Sequence, residues 1–307
     1  LELNYKNIDL VYFVSPSNLV IDLKNINYVF TVWDLCHLSH PEFPEVRQKN
    51  QFEIRENLFN SVLNKSFRII VDSKYTKKQI VSKYRIDKRR IKIIPFEPNS
   101  NLEKNIKPYF QDSLIEKQIN KFSHFLLYPA QYWSHKNHIY IIKAIKILSK
   151  KTNFNIGVVF TGANKGNLDY LRIFARKNKI EEKIIFLKFV TDSDLTNLYK
   201  KCLFVVMTSY FGPCNLPPLE GFKFGKPVLY PKINSFINEF KDSPVYIDLK
   251  DPNSMVNEVI KLFEDKTYCN LHIQKGFKYL EKRKIYSSKD ILNEIFYSFY
   301  KIKQCWK

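Results

Sequence analysis

Short apolar runs alternate with segments of helical spacing along most of this chain, and that alternation limits the fold more than any other feature. Apolar runs of strand length lie at residues 10–14, 28–32, 67–71 and 91–94, and again at 125–128, 156–160, 184–187, 203–207 and 244–247. In the intervals, as at residues 46–63 and 138–148, apolar residues recur three or four positions apart, which is the spacing of amphipathic helices. Strands that alternate with helices predict an α/β fold built on parallel sheets.

The alternation is interrupted once, by a polar stretch at residues 97–121 that is rich in Asn, Lys and Pro. This composition predicts an interdomain linker with one short helix near residues 114–119, and the 307 residues have the length of about two domains. The predicted parts are a domain over 1–98, a linker over 99–121, a second domain over 122–289 and a C-terminal helix over 290–307. The first domain is short for a nucleotide-binding fold and the chain starts at Leu1, so we expect an incomplete N-terminal domain.

The charge balance favours anionic partners. There are 50 Lys and Arg against 30 Asp and Glu, a formal charge of +20, which suits nucleic acid, an acidic lipid surface or phosphorylated substrates. The joint abundance of Lys, Ile and Asn is also typical of an AT-rich genome, which would raise the charge without any partner.

Nine basic residues are concentrated between Lys74 and Lys92, with Ile80, Val81 and Tyr84 as an apolar side. Such a cluster suits docking on an anionic membrane surface, or it is a solvated helix face. A nucleic-acid site would add several exposed aromatic residues, so we expect no nucleic-acid partner.

Cysteine usage and hydropathy bear on the compartment. The five cysteines are scattered without paired spacing, which predicts free thiols in a reducing cytosol. No run of 18 apolar residues occurs, so no transmembrane helix is expected. We therefore expect a cytoplasmic protein, with a peripheral position on the inner face of the membrane as an option.

The segment at residues 208–229 has the pattern of a strand, a loop, a short helix and another strand. Pro217 and Pro218 suit the first turn of the helix, and the amides of such a turn can receive an anion. Glu220 follows in the first turns, where its carboxylate would accept hydrogen bonds from sugar hydroxyls. Its alternative role is to complement the helix dipole.

Three further residues are candidates for catalysis: Lys136, His37 and Asp34. Lys136 lies at a strand-to-helix crossover, where an ammonium group can pair with phosphate; a solvated surface lysine is the alternative. Asp34 and His37 follow the second apolar run and could act as a polar pair on a substrate. A histidine with a purely structural role explains His37 equally well.

The sequence Asp-Ser-Asp at residues 192–194 matches the spacing of carboxylates that hold a divalent cation. It directly precedes a segment of helical spacing, however, and a helix N-cap with acidic residues in the first turn explains it better. We therefore expect no metal site.

Several of these segments together resemble glycosyltransferase family 4. Residues 215–220 read Asn-Leu-Pro-Pro-Leu-Glu and residues 225–228 read Gly-Lys-Pro-Val, which resembles the donor-binding segment of the family. Residues 190–195 resemble the family segment that precedes it. The resemblance implies a GT-B fold, in which two Rossmann-like domains enclose a cleft that binds a sugar nucleotide.

The resemblance also implies roles for single residues. Glu220 would bind the ribose, Lys136 the diphosphate, the amides near Asn215 and Leu216 the phosphate or the donor sugar, and the backbone at Val190 the base. Gln131, Asn137 and Gly212 complete the expected set of donor-binding residues.

Three positions depart from the family pattern. Gly212 stands where the first of two glutamates is usual, Gln131 where an arginine is usual, and Trp33 where a histidine precedes the aspartate, with His37 four residues on. Either the site is remade, with His37 or Asn215 as the substitute, or the activity is lost.

The resemblance implies a retaining glycosyltransferase that moves a hexose from a nucleoside-diphosphate sugar to a glycan or lipid-linked acceptor in surface polysaccharide synthesis. It implies no cofactor and no metal. The alternative is a degenerate, non-catalytic binding or scaffold subunit, and Gly212 and Gln131 are the departures that favour it.

Overall fold

The computed structural model describes residues 7–23, 25–102, 109–212, 214–283 and 288–305. The chain divides into two compact units, each built on its own parallel sheet. The first comprises Leu1–Phe96, Gly212–Cys214 and Arg283–Lys307, and the second comprises Glu97–Phe211 and Asn215–Lys282. The predicted α/β class is therefore confirmed.

The sheet of the first unit has four parallel strands in the order β1-β2-β3-β4. They are β1 Leu10–Phe13, β2 Asn27–Val32, β3 Arg68–Val71 and β4 Ile91–Ile93. These are the four predicted strands, and β2 and β3 are almost entirely buried. Burial on both faces explains why they are continuous apolar runs and not alternating ones.

Helices cover both faces of this sheet. They are α1 Cys36–Ser39, α2 Pro44–Arg47, α3 Gln51–Val62, α4 Lys74–Tyr84 and, late in the chain, the helix Ser288–Gln304. On one face Phe59 of α3 and Ile80 of α4 pack in a core with Phe30. On the other, Ile295 of the late helix packs against Val29 and Ile70.

Two helices of the first unit begin for different local reasons. Ser73 caps α4, because its hydroxyl accepts a hydrogen bond from the amide of Thr76. The helix predicted over residues 46–63 begins later, at Gln51, because Lys49 and Asn50 both adopt φ of 55°. A left-handed backbone cannot continue a right-handed helix.

The sheet of the second unit has six parallel strands in the order β10-β9-β8-β5-β6-β7. They are β5 His124–Pro129, β6 Ile156–Thr161, β7 Ile184–Leu187, β8 Phe204–Val206, β9 Val228–Pro231 and β10 Val245–Ile247. Strand β5 pairs with β6 on one side and with β8 on the other. The order therefore reverses at β5, and the carboxyl ends of strands at such a reversal border the ligand crevice of open α/β sheets.

Eight helices are described between β4 and the late helix. They are α5 Ser113–Ile119, α6 His138–Lys151, α7 Leu168–Lys177, α8 Asp192–Lys201, α9 Leu216–Lys223, α10 Asn234–Phe240, α11 Pro252–Glu264 and α12 Lys266–Arg283. The late helix Ser288–Gln304 is α13. The apolar spacing of the sequence does not predict α10 or α12. Helix α12 is largely polar, and only His272 and Gly276 on it are buried.

The stretch predicted to be a linker packs within the second unit where it is described. Leu102 and Phe110 are buried, and the backbone amide of Gln111 donates to Asp194 at 2.6 Å. Residues 103–108 of the predicted linker lie outside the described residues.

No helix in the described ranges combines the length and the apolar character that a bilayer-spanning segment requires.

Candidate functional site

Two of the predicted site residues meet at the carboxyl edge of the second sheet. The β5–α6 crossover and the β8–α9 loop lie next to each other because β5 pairs with β8. There Nζ of Lys136 lies 3.2 Å from Oδ1 of Asn215, although 79 residues separate them in sequence. The pair therefore places one cation and one carboxamide at the reversal point of the sheet.

Tyr230 determines which way the Asn215 carboxamide points. Its hydroxyl accepts a hydrogen bond of 2.9 Å from Nδ2 of Asn215. Tyr230 is fully buried, and its ring lies 4.8 Å from that of Phe236 at an interplanar angle of 28°. With the amide nitrogen held by the hydroxyl, the carboxamide oxygen faces Lys136.

Side chains of β5 and of the loop after β8 hold the backbone at Lys136. The hydroxyl of Tyr128 donates to the carbonyl of Lys136 at 2.7 Å, and that of Thr208 donates to the same carbonyl at 3.0 Å. Asn137 adopts φ of 54° and starts α6, so the crossover turns sharply directly after Lys136. Its side-chain Nδ2 is buried without a hydrogen-bond partner in the described part of the chain.

A stacked pair of rings joins the same two loops. The imidazole of His135 lies 4.0 Å from the ring of Phe211, at an interplanar angle of 17°. The amide of Tyr210 donates to the carbonyl of His135 at 3.0 Å. Nothing in the apolar spacing of the sequence indicates this contact, because it depends on strands that are distant in the chain.

The N-terminus of α9 offers fewer amide donors than its position suggests. Asn215 is the N-cap, Leu216 is the first helical residue, and Pro217 and Pro218 occupy the next two positions. Since proline has no N–H, the amide of Leu216 is the one left in the first three helical positions to receive an anion. The start of α9 therefore offers an anion fewer backbone N–H donors than the sequence led us to expect. Binding of an anion there would depend more on the ammonium group of Lys136.

Glu220 is buried and bound by other protein groups. The hydroxyl of Tyr199 donates to its Oε2 at 2.5 Å, and the ring of Tyr199 stacks on Phe224. Burial raises the pKa of Glu220, while the hydrogen bonds from Tyr199 and from the backbone of Asn99 act in the opposite direction. Its role on a ribose stays a prediction.

The remaining donor-side residues lie at the ends of strands and in loops. Gln131 is exposed, and its Oε1 accepts a hydrogen bond from the indole of Trp133 at 2.7 Å. Val190 is half-buried between β7 and α8. Gly212 adopts φ of 89°, which lies in the left-handed region that favours glycine. A glutamate at that position would be strained, which gives a physical reason for this departure from the family pattern.

In the first unit, Asp34 and His37 each bind a different residue of α3. Asp34 Oδ1 accepts from Arg55 at 2.7 Å and from the amide of Cys36 at 2.9 Å. Burial alone would raise the pKa of Asp34, but the charge of Arg55 and these hydrogen bonds hold it below its usual value.

The fully buried His37 lies with Nε2 2.9 Å from Oε1 of Glu56, and the Tyr84 hydroxyl donates to the same oxygen. Burial lowers the pKa of His37, which favours the neutral ring, while Glu56 acts in the opposite direction. These contacts match the structural alternative for His37, and its catalytic role stays a prediction.

Asp194 is an acidic residue in the first turn of α8, as expected from the sequence, but the N-cap lies one residue before the Asp-Ser-Asp segment. Thr191 is the N-cap of α8 and accepts from the amide of Asp194 at 3.2 Å, while its hydroxyl donates to the Asp194 carboxylate at 3.0 Å. Within the described ranges, no group of three or more His, Cys, Asp and Glu side chains has an arrangement that could hold a metal ion.

The chain belongs to the family described as glycosyl transferases group 1, whose signature matches residues 111–279. It is 25% identical over 231 residues to the O-antigen chain mannosyltransferase RfbU of Salmonella typhimurium, covering 74% of this chain and 58% of that protein. It is 24% identical over 207 residues to the uncharacterized glycosyltransferase MJ1607 of Methanocaldococcus jannaschii, covering 65% of this chain and 52% of that protein. The chain thus spans little more than half the length of these relatives.

Solved structures show the fold. HepE from Anabaena in complex with UDP-glucose matches with a TM-score of 0.73 at 17% identity, over 95% of this chain and 79% of that one. WaaG, a glycosyltransferase involved in lipopolysaccharide biosynthesis, matches with a TM-score of 0.74 at 16% identity, over 96% and 79%. The two parallel-sheet units therefore have the GT-B fold that the resemblance implied.

Proposed function

We propose that this protein is a retaining glycosyltransferase that moves a hexose from a nucleoside-diphosphate sugar to a glycan or lipid-linked acceptor in surface polysaccharide synthesis. The observation that supports it most is the Lys136–Asn215 pair at the reversal point of the second sheet. A cation at that edge suits the diphosphate of a donor. HepE is a structural neighbour solved with UDP-glucose, and RfbU is named as a mannosyltransferase.

The main barrier to the transfer is the negative charge that develops on the leaving diphosphate. Lys136 and the amide of Leu216 would stabilise that charge electrostatically as the bond between the anomeric carbon and the phosphate oxygen breaks. The acceptor hydroxyl then bonds to the same face of that carbon, and its proton passes to the departing phosphate oxygen. Glu220, the buried carboxylate of α9, is already bound by Tyr199 and is not assigned as a nucleophile. No metal and no cofactor are required by this route.

Membrane attachment is part of the proposal, and the structure indicates that exposed cations, without an apolar side, would provide it. Ile80 and Tyr84, expected as an apolar lipid-facing side, are buried in the core of the first unit. Lys77 donates to the carbonyl of Ile91 at 2.6 Å, and Lys83 pairs with Glu56. Arg89 is exposed but pairs with Asp87. The other exposed cations of the cluster that remain for a membrane are Lys74, Lys78, Arg85 and Lys88. Attachment to anionic lipid at the cytoplasmic face would therefore be electrostatic and sensitive to salt.

The test is a transfer assay of the full-length protein against a panel of sugar nucleotides, with calorimetry of nucleoside-diphosphate binding beside it. We expect turnover with one donor and a loss of about 100-fold or more in kcat for Lys136→Ala, the size seen when one group that stabilises the developing charge is removed. Lys143→Ala, an exposed lysine of α6, is the matched control. Turnover that is equal in Lys136→Ala and the control would remove the site assignment, and binding of nucleoside diphosphate without turnover by any donor would favour the non-catalytic alternative.

A further inference from the structure

A second candidate site lies in the second unit, at the end of its sheet opposite the Lys136–Asn215 pair. A cavity of about 410 Å³ lies between α12 and the turn that joins α10 to β10. This turn precedes the first residue of β10, so it belongs to the amino edge of the sheet, whereas Lys136 and Asn215 lie at the carboxyl edge. The volume is in the range of ordinary ligand pockets.

Lysines dominate the lining of this cavity. Lys241, Lys275, Lys278 and Lys282 contribute, together with Gln274, Tyr279 and the buried Ser243. The one carboxylate in the lining is Asp242, which lies 3.1 Å from Nζ of Lys275 and is largely exposed. We call this set of residues the lysine pocket. Its lining keeps an excess of three positive charges.

The three lysines of α12 that line the pocket are spaced in a way that does not favour the helix. Lys275, Lys278 and Lys282 follow one another at three and four residues, so they share one face. Like charges at these spacings destabilise a helix. The helix tolerates this repulsion next to a cavity, where an anion would relieve it.

The fourth lysine is held in a strained backbone conformation. Lys241 adopts φ of 55° and ψ of −123°, a combination that residues with a side chain rarely adopt. The hydroxyl of Tyr246 donates to its carbonyl at 2.6 Å and helps to hold this turn. Strain of this kind persists where the surrounding structure imposes it, often at ligand sites.

We propose that the lysine pocket binds a phosphate-bearing polyanion at a site separate from the donor site. Lysine ammonium groups bind phosphate as point charges and do not require the planar geometry of arginine. Four such groups around one cavity match a ligand with two or more phosphates. A free polyphosphate compound and a phospholipid headgroup both supply this chemistry.

The experiment measures binding of inorganic tripolyphosphate to the full chain by calorimetry, with hydrogen exchange to locate the bound anion. The test variant is Lys278→Gln with Lys282→Gln, and the matched control is Lys143→Gln with Lys150→Gln, which removes two exposed lysines of α6 in the same unit. We expect slower exchange at residues 271–282 with tripolyphosphate, and a loss of affinity of about tenfold or more in the test variant alone, since each ammonium removed takes a charged hydrogen bond from the anion.

Vesicles distinguish the two sources of phosphate. Co-sedimentation with phosphatidylglycerol vesicles that weakens in the test variant and not in the control assigns a lipid headgroup. Tripolyphosphate binding with no such difference on vesicles assigns a soluble ligand. Equal affinity of the test and control variants for both probes, or unchanged exchange at residues 271–282, would overturn the proposal. Because Lys136 is intact in both variants, these outcomes are independent of the transfer activity.

Discussion

Lys136 and Asn215 are joined by a 3.2 Å contact between the ammonium group and the carboxamide oxygen. The contact exists because β5 and β8 are neighbours in the sheet, so that the loops after them meet. Tyr230 completes the arrangement by holding the carboxamide nitrogen. Tyr230 therefore helps to position the cation through the Asn215 carboxamide.

Tyr230→Phe should weaken donor binding without unfolding the protein. Phenylalanine keeps the packing on Phe236 but lacks the hydroxyl, so Nδ2 of Asn215 loses this acceptor and the carboxamide holds Lys136 less firmly. We expect KM for the donor to rise by about fivefold to tenfold, the value of one hydrogen bond, with kcat changed less. Steady-state kinetics and calorimetry with the nucleoside diphosphate measure this.

A double-mutant cycle checks the coupling between the two residues. Asn215→Ala and Lys136→Ala should be non-additive, because each removes the same contact. Fully additive losses in donor affinity would show that the contact does not contribute to binding.

The parallel sheets could be predicted from the sequence, whereas this pairing could not. Strands such as β6, buried at every residue, stand out as continuous apolar runs. The neighbour relation of β5 and β8 depends on the order of strands, which the alternation of elements does not specify. Tyr230 gave no signal because a tyrosine in a buried strand is ordinary. Helix α12 was missed because its exposed surface is mostly polar.

The free energy of unfolding of Glu220→Gln should increase relative to that of the wild type as pH rises. Burial raises the pKa of Glu220 in the folded chain, so the stability that its protonated form contributes is present below the unfolded pKa of about 4.3 and is lost as pH rises through the folded pKa. Glutamine does not titrate and still accepts a hydrogen bond from Tyr199. The difference in free energy of unfolding, variant minus wild type, should therefore increase from about pH 4 to pH 7.

Urea unfolding of both proteins at each pH measures this difference. Groups common to the two proteins cancel in it unless they interact with Glu220, as Asp192 and Lys223 do. A difference that stays constant from acid to neutral pH would show that Glu220 titrates normally in the folded chain.

Glu56→Ala should destabilise the first unit by about 2 kcal/mol, because His37 and Tyr84 lose their shared acceptor inside a core. Glu53→Ala is the control, since Glu53 lies on the same helix and is exposed. Hydrogen exchange in β2 and β3 as a function of urea concentration gives the unfolding midpoint of this unit. Equal midpoints for the two variants would mean that the His37–Glu56 contact adds nothing to stability.

Gly162→Ala should disturb the β5–α6 crossover itself. A Cβ atom at Gly162 would lie 2.4 Å from the backbone oxygen of Ala130, directly before Gln131. Backbone cannot rotate away as a side chain can, so relief requires the crossover to move. We expect a loss of about 1–3 kcal/mol in stability, together with weaker donor binding.

Gly157→Ala separates these two effects. Its added Cβ would lie 2.3 Å from the ring of Phe122, a side chain near the amino end of the same strand β6 and remote from the crossover. It should also lower stability, because the ring of Phe122 is buried, while donor affinity stays at the wild-type value. If both variants weakened donor binding equally, the effect of Gly162→Ala would come from general destabilisation. If only Gly162→Ala weakened it, the close approach of Gly162 to Ala130 would be required to hold Lys136 in place.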